Sequence, residues 1–309
     1  MIKYFFKILL NRNVILISAV VLGLTIGENA IYLKPYTTYI LIITMLFSMT
    51  GLSTSSLFPL RKVVKPMMTG TFLNYFFFGF VVILLAWILM PDDQLFYGFV
   101  VIAAAPPGVA IVPFAGILKG DIEYSIIGVF GAFLAAIIIT PIVIGLFSGF
   151  EDTVNPLSLI FLMVKLIIVP LVLSRLLLIK TFFPIIKKIR GKIVDVGFAL
   201  IIFTAVGMNQ QVFFQDYDVL FLISLVLLAG TFGIGSLYEY LLKRTKQNSE
   251  ITTSQILLLT IKSSGFSVVT ALTLFGEKAA IPSAVLAVIV LLYLLFLSSR
   301  MEIKKVFIR

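Results

Sequence analysis

The chain has 309 residues, of which 61% are hydrophobic and 12% are charged. Soluble domains are about 45–50% apolar and about 25% charged, so this composition indicates an integral membrane protein. Cysteine and histidine are both absent, which excludes disulfides, thiolate chemistry and a histidine proton shuttle.

A bilayer span needs about 20 mostly apolar residues, and the chain contains ten such segments. Because lipid offers no hydrogen-bond partner to an open sheet edge, all ten are predicted to be helices. They lie at residues 13–33, 37–57, 63–89, 94–118, 122–147, 155–178, 193–214, 219–242, 251–276 and 279–300. The N-terminal segment MIKYFFKILLNRN has no convincing cleavage site and is interpreted as a cytoplasmic lead into the first span.

The basic residues predict the orientation of these spans, because cytoplasmic loops are enriched in Lys and Arg. With both termini in the cytoplasm, all but four of the 24 Lys and Arg residues lie on the cytoplasmic side. The exceptions are Lys34 and Lys278 in the opposite loops, and Lys165 and Lys262 within spans. This distribution explains the net charge of +10 without nucleic acid as a partner. We expect a multi-pass protein that lies in a bacterial inner membrane.

Glycine spacing indicates two five-span repeats, which must be inverted in the membrane as they often are in secondary carriers. Three pairs share nearly one offset: Gly51 and Gly207 are 156 positions apart, Gly108 and Gly265 are 157 apart, and Gly120 and Gly276 are 156 apart. We therefore predict an all-α membrane protein with ten transmembrane helices in two inverted repeats, residues 1–150 and 151–309.

The fourth and ninth predicted spans each contain a segment that disfavours a helix. The sequence PPG occupies residues 106–108, and each proline costs roughly 3 kcal/mol in a helix interior. KSSG occupies residues 262–265. Broken helices at matching positions of two repeats indicate the binding site of a carrier, because half-helix N-termini favour anions and freed carbonyls favour cations. Two unrelated kinks are the alternative interpretation.

These two segments resemble a known family. PPGVAIVPFAGILKGDIEYS (106–125) is similar to the fourth-helix crossover of the bile acid:sodium symporter family, in which Pro-Gly-Gly-x-x-Ser-Asn is followed by Lys-Gly-Asp and a serine. TIKSSGFSVVTALTLF (260–275) resembles the ninth-helix crossover of that family, Glu-x-Gly-x-Gln-Asn-Ser-Gly. The resemblance implies a panel domain from spans 13–57 and 155–214 and a core domain from spans 63–147 and 219–300. It also implies transport of small organic anions through the cleft between the domains.

The departures from the family pattern concern its two sodium sites. The Ser-Asn pair is Ile111-Val112 here, the shared glutamate is Leu258, and the glutamine is Lys262, whereas Ser125 is kept. Apolar side chains offer no oxygen to a hard cation, so we expect no bound sodium and no other cofactor or metal.

Lys262 is therefore predicted to place an ammonium where relatives bind a cation, since an ionisable residue within a membrane is by default a candidate functional site. Either it stays charged in a uniporter or exchanger, or it releases and takes up a proton in a proton-coupled carrier. A snorkelling lysine is the alternative interpretation. Lys165 lies midway along the sixth span, and a position facing the cleft, snorkelling and a misplaced span boundary are all open for it.

The polar cluster GMNQQ (207–211) offers candidate substrate contacts on the panel side, although it could instead belong to a helix end. Asn74 could likewise be a helix–helix hydrogen bond. The predicted substrate- and ion-binding residues are Lys262, Ser263, Ser264, Gly265, Pro106, Pro107, Gly108, Val109, Ser125, Asn209 and Gln210.

The function predicted from these residues is a sodium-independent secondary transporter of a small organic anion that works by alternating access within membrane lipid. A sodium-coupled symporter and a channel are alternatives. An enzyme is not expected, because intramembrane carboxylates for acid–base catalysis are almost absent. An intramembrane hydrolase with a Ser/Lys dyad would have to use Ser263 or Ser264 with Lys262, and adjacent side chains on a helix diverge.

Overall fold

The computed structural model describes residues 12–52, 60–108, 110–148, 156–179, 183–245 and 248–307. Every regular element within these ranges is a helix, which confirms the all-α prediction for the described part of the chain. In chain order the helices are α1 (Arg12–Ile26), α2 (Thr37–Met49), α3 (60–89), α4 (Asp93–Ala104), α5 (Ile111–Ile117), α6 (Ile122–Ser148), α7 (156–177), α8 (Phe183–Met208), α9 (Gln210–Gln215), α10 (217–243), α11 (Ser249–Thr260), α12 (Ser264–Leu274) and α13 (Glu277–Phe307).

Among the described residues, seven helices are long and apolar enough to cross a membrane. They are α1 with its following 3₁₀ turn, α3, α6, α7, α8, α10 and α13. The chain is thus a helical protein with several candidate membrane spans.

The fourth and ninth predicted spans are each divided into two shorter helices. The first division separates α4 from α5 over residues 105–110, and the second separates α11 from α12 over residues 261–263. Both divisions lie at the PPG and KSSG segments, as the prolines and the Ser-Ser-Gly run predict.

In the part of the chain that the structure describes, three long helices contain a π-helical segment, in which the backbone hydrogen bonds reach one residue further along the chain than in an α-helix. These segments are Phe72–Phe77 in α3, Val164–Ile168 in α7 and Ala229–Gly233 in α10. The first and third begin 157 positions apart, which is within one residue of the offset of each glycine pair.

Glycines allow several pairs of helices to pack with their backbones close together. A Cβ atom at Gly27 would lie 2.8 Å from the Gly207 carbonyl oxygen, where the end of α1 crosses α8. A Cβ at Gly70 would lie 2.7 Å from the Gly128 oxygen, where α3 crosses α6. Small residues at helix crossings are typical of membrane proteins, because packing contacts stabilise helix pairs that the hydrophobic effect does not drive together.

Two helix boundaries differ from the predicted spans. α2 ends at Met49, where Arg175 donates to the Met49 carbonyl oxygen at 2.5 Å and to that of Leu52 at 2.9 Å. Residues 53–57, the rest of the second predicted span, lie outside the described ranges. α8 begins at Phe183, ten residues before the seventh predicted span, so the basic residues that precede this span are helical. Charged side chains disfavour the hydrocarbon core, but they do not disfavour a helix that extends beyond it.

Candidate functional site

The two divided segments cross each other and are joined by backbone hydrogen bonds. Gly108 N–H donates to the Ile261 carbonyl oxygen at 2.8 Å, and Ser263 N–H donates to that of Pro106 at 3.0 Å, in an antiparallel bridge of Pro107 and Lys262. A Cβ at Gly108 would lie 3.1 Å from the Lys262 carbonyl oxygen, so a glycine suits this close approach. The crossing brings PPG and KSSG into one site, and Val109 of the predicted set lies outside the described residues.

The Lys262 side chain is 2% exposed. Its ammonium donates to the Ala103 carbonyl oxygen at 3.0 Å and to the Asn74 carbonyl oxygen at 3.2 Å. The nitrogen also lies 4.9 Å from the ring centre of Tyr75 and 5.3 Å from that of Phe78, within the range of a cation–π interaction. Burial between α3 and α4 is not a snorkelling arrangement, in which the charged group would reach an interface.

Both carbonyl groups that bind Lys262 have lost their usual helical donor. In an α-helix the Ala103 oxygen would accept from residue 107, but Pro107 has no N–H. The Asn74 oxygen would accept from Phe78, but within the π segment the Phe78 N–H donates to Leu73 instead. The ammonium therefore supplies hydrogen bonds that the local backbone cannot.

The neighbouring carbonyl groups at the end of α4 are also satisfied by side chains. Thr140 Oγ1 on α6 donates to the Ala104 oxygen at 2.7 Å. The Asn74 side-chain amide donates to the Ala105 oxygen at 3.1 Å. Because unpaired backbone groups are costly in a membrane interior, these contacts stabilise the divided helix.

No acidic side chain forms an ion pair with Lys262 among the residues that the structure describes. Its ligands are two neutral carbonyl groups and two aromatic rings. A protonated Lys262 would therefore give the crossing a net positive charge, which is complementary to an anion.

A cavity of about 60 Å³ lies beside the crossing, between α1 and α8 on one side and α12 and α13 on the other. Gly108, Lys262, Ser263 and Ser264 are among the residues that line it. Ser263 is 3% exposed, and its hydroxyl has no hydrogen-bond partner among the described residues. A buried hydroxyl without a partner is uncommon in native proteins and is often accounted for by water, an ion or a ligand.

Phe198 of α8 forms the opposite wall of this cavity. It packs against the start of α12, where a Cβ at Gly265 would lie 2.7 Å from Phe198 Cδ1. Because Gly265 has no side chain, α8 can approach the crossing closely.

The remaining predicted residues lie elsewhere. Ser125 on α6 is fully buried and its hydroxyl has no partner among the described residues. The Asn209 amide donates to the Ala205 oxygen at 2.9 Å, and the Gln210 amide donates to the Leu24 oxygen at 2.6 Å. Asn209 separates α8 from α9, so the structure places the GMNQQ cluster at a helix end and outside the lining of the 60 Å³ cavity.

Lys165 is exposed in the π segment of α7 and lies 5.2 Å from the ring centre of Tyr39. Sequence reasoning missed the residues that contact Lys262, namely Tyr75, Phe78 and the carbonyl groups of Asn74 and Ala103. A polar Asn74 in an apolar span was the one available signal.

A comparison with protein-family models matches residues 38–216 to the Sodium Bile acid symporter family. The chain belongs to this family. The predicted family membership is confirmed, and it makes the protein a multi-pass integral membrane protein of a transporter family. The match ends before α10, so the second crossing segment lies beyond it. No curated protein sequence matches the chain.

The family name implies sodium, and the residues at Lys262 do not fit this ion. Ile111 and Leu258 are both fully buried and apolar, and Leu258 packs against Gly128 of α6. The two carbonyl oxygens that converge here already accept from the Lys262 ammonium. A hard cation requires several oxygen ligands, and an ammonium at this point would also repel it.

Proposed function

We propose that this family member is a secondary transporter of a small organic anion that works without sodium, with the Lys262 ammonium in place of a bound cation. The main support for this proposal is that Lys262 Nζ lies within hydrogen-bond distance of two main-chain oxygens, those of Asn74 and Ala103, at the crossing of two divided helices. Main-chain carbonyl groups freed from a helix are typical ligands of coupling cations in transporters. An ammonium tethered to the chain can satisfy the same oxygens.

The arrangement of the helices supports a transporter with ten spans in two inverted repeats. α4 with α5 and α11 with α12 supply the fourth and ninth spans, and α2 supplies the second. The two divided spans meet in an antiparallel bridge, and the π segments of α3 and α10 occupy corresponding positions. A two-fold axis in the membrane plane would produce both correspondences.

The position of the 60 Å³ cavity supports alternating access between two domains. Its walls come from α1 and α8 of the predicted panel and from α5, α12 and α13 of the predicted core. Sliding or rocking of these two groups would expose Ser263 and the crossing to each side of the membrane in turn. The substrate would then meet the freed helix ends and the charge of Lys262.

Two coupling modes follow from the protonation of Lys262. A permanently protonated amine makes the protein a uniporter or an exchanger. An amine that releases its proton during the cycle makes it a proton-coupled carrier.

The hydrolase alternative receives no support from the geometry. The Lys262 amine points to carbonyl groups of α3 and α4, and no hydrogen bond joins it to Ser263, whose hydroxyl has no partner among the described residues. A serine nucleophile needs a base within hydrogen-bond reach.

The first experiment measures the thermal stability of the purified protein in sodium chloride and in choline chloride, at mildly acidic and mildly alkaline pH. A ligand present at 100 times its dissociation constant stabilises the native state by about 2.7 kcal/mol. The wild type is expected to show no sodium-specific stabilisation. Lys262→Gln is expected to acquire one, because it frees two carbonyl oxygens. Lys165→Gln, which removes an exposed lysine from a span, is the matched control and is expected to match the wild type.

Sodium-specific stabilisation of the wild type would refute the proposed substitution and would favour a sodium-coupled symporter. Transport itself is tested in proteoliposomes with labelled pyruvate, benzoate and taurocholate. Uptake that saturates, and that increases when the same anion is present inside, indicates a carrier, whereas a channel gives neither.

A further inference from the structure

A second cavity, which we call the vestibule, lies at the end of the bundle where α1 begins. Its volume is about 350 Å³, and it is bordered by α2, α5 and α8. The residues that line it include Arg12, Ser48, Leu52, Val112, Arg190 and Asp195. Arg12 also borders the 60 Å³ cavity at the crossing, so this side chain lies between the two cavities.

Arg12 and Asp195 form an ion pair at this position. The Arg12 Nε atom lies 3.4 Å from Asp195 Oδ1, and the two side chains are 27% and 17% exposed. The contact occupies one edge of the guanidinium group. In the described part of the chain the Nη atoms of Arg12 have no hydrogen-bond acceptor, although a guanidinium presents five donors in a fork that suits a carboxylate.

Arg190 adds a second guanidinium to the wall of the vestibule. It donates to the Thr50 carbonyl oxygen at 3.2 Å, just after the end of α2. Two arginines and one aspartate leave the lining with one positive charge in excess, which favours a monoanion.

We propose that Arg12 binds the carboxylate of the transported anion in the vestibule, and that Asp195 is a resident carboxylate which the anion displaces from Arg12. This inference rests on the proposed function and names its recognition residues. The exchange never leaves Arg12 without a counter-ion, because one carboxylate replaces another. The displaced Asp195 keeps its place on the wall of the vestibule and is solvated there.

The volume of the vestibule limits the size of the anion. A cavity of 350 Å³ corresponds to about a dozen waters at about 30 Å³ each. The inference therefore favours a compact carboxylate of about a dozen non-hydrogen atoms or fewer, such as benzoate, over a steroid anion such as taurocholate.

The test is arginine-selective labelling of the purified full chain with phenylglyoxal, quantified for each arginine by peptide mass spectrometry. Benzoate is expected to protect Arg12 in a saturable manner, and at a lower concentration than taurocholate. Arg244, a cytoplasmic-side arginine in the predicted orientation that is exposed at the end of α10, is the internal control whose labelling stays constant. Asp195→Asn removes the competing carboxylate, so protection by benzoate is expected at about three- to fivefold lower concentration.

Equal labelling of Arg12 with and without benzoate overturns the inference, and so does equal protection of Arg12 and Arg244. Protection by taurocholate as effective as that by benzoate overturns the size limit. If Asp195→Asn fails to fold, protection of Arg12 by benzoate in the wild-type protein is still sufficient to test the inference.

Labelling also separates this inference from the proposed function. Protection of Arg12 without any uptake of benzoate into proteoliposomes would leave the binding site standing and would refute transport. Uptake of benzoate without protection of Arg12 would leave transport standing and would refute the role of Arg12.

Discussion

Replacement of Thr140 by valine tests whether side chains stabilise the divided fourth span. Thr140→Val keeps the shape of the side chain and removes the hydroxyl that donates to the Ala104 oxygen at 2.7 Å. That oxygen has no substitute donor, because the Gly108 N–H, its normal helical partner, donates across the crossing to Ile261. A buried acceptor left unsatisfied costs about 1–3 kcal/mol.

The assay is thermal unfolding in detergent at a fixed heating rate, since unfolding of large proteins is often irreversible. The expected decrease in Tm is roughly 2–6 °C. Thr204→Val is the matched control, because the buried Thr204 hydroxyl donates at 2.8 Å to the Leu200 oxygen of its own helix, which the helical backbone can also satisfy. Equal decreases for the two variants would refute the argument that the divided helix depends on side-chain donors.

Three further predictions concern other contacts. Asn74→Ala removes the amide that donates to Ala105, and it is expected to lower the rate of anion uptake in proteoliposomes and to lower Tm by a similar amount to Thr140→Val. Gly98→Val places a Cβ against the Ala279 carbonyl oxygen and is expected to destabilise the packing of α4 on α13 by about 1–3 kcal/mol or more, measured by the Tm of purified protein. Partial burial raises the pKa of Asp92, but the hydrogen bond and the charge of Lys278 lower it by more. The pKa of Asp92 in the folded protein therefore lies below the ordinary value of 3.8. The ion pair of Asp92 and Lys278 is therefore expected to contribute less than about 1 kcal/mol of stability at pH values above 3.8, and this contribution is lost as the pH falls through the pKa of Asp92 in the folded protein. Measurements of Tm against pH should show this loss in the wild type and not in Asp92→Asn.

The sequence predicted the divided helices because their cause is local. Pro106 and Pro107 lack an N–H wherever they occur, and KSSG combines a charge with a poor helix former. The burial of Lys262 was also predictable, since no interface lies within reach of the middle of an apolar span. Family membership followed from the same two segments.

The ligands of Lys262 could not be predicted in the same way. The Asn74 oxygen is free because of a π segment, which depends on how α3 packs and leaves no clear trace in the sequence. Polar residues in apolar spans were ambiguous for a related reason. Asn209 and Gln210 satisfy backbone groups near a helix end, and the same amides could have faced a substrate.

The ion pair of Arg12 and Asp195 was missed because a hydropathy pattern does not show which charged residues contact each other. Arg12 was counted as a topological signal, and Asp195 fell within the seventh predicted span without a partner in view. These residues are far apart in the chain, and only the packing of α1 on α8 brings their charges together.

The position of the Lys262 ammonium restricts how the protein can move. The lysine lies between α11 and α12, and its nitrogen binds one carbonyl group on α3 and another on α4. Any motion that separated these segments would remove a ligand from the buried ammonium, and an unpaired polar group in a membrane interior costs several kcal/mol. α3, α4 and the crossing are therefore expected to move as one rigid unit, and the plane of relative motion should follow the face of α8 that carries Phe198.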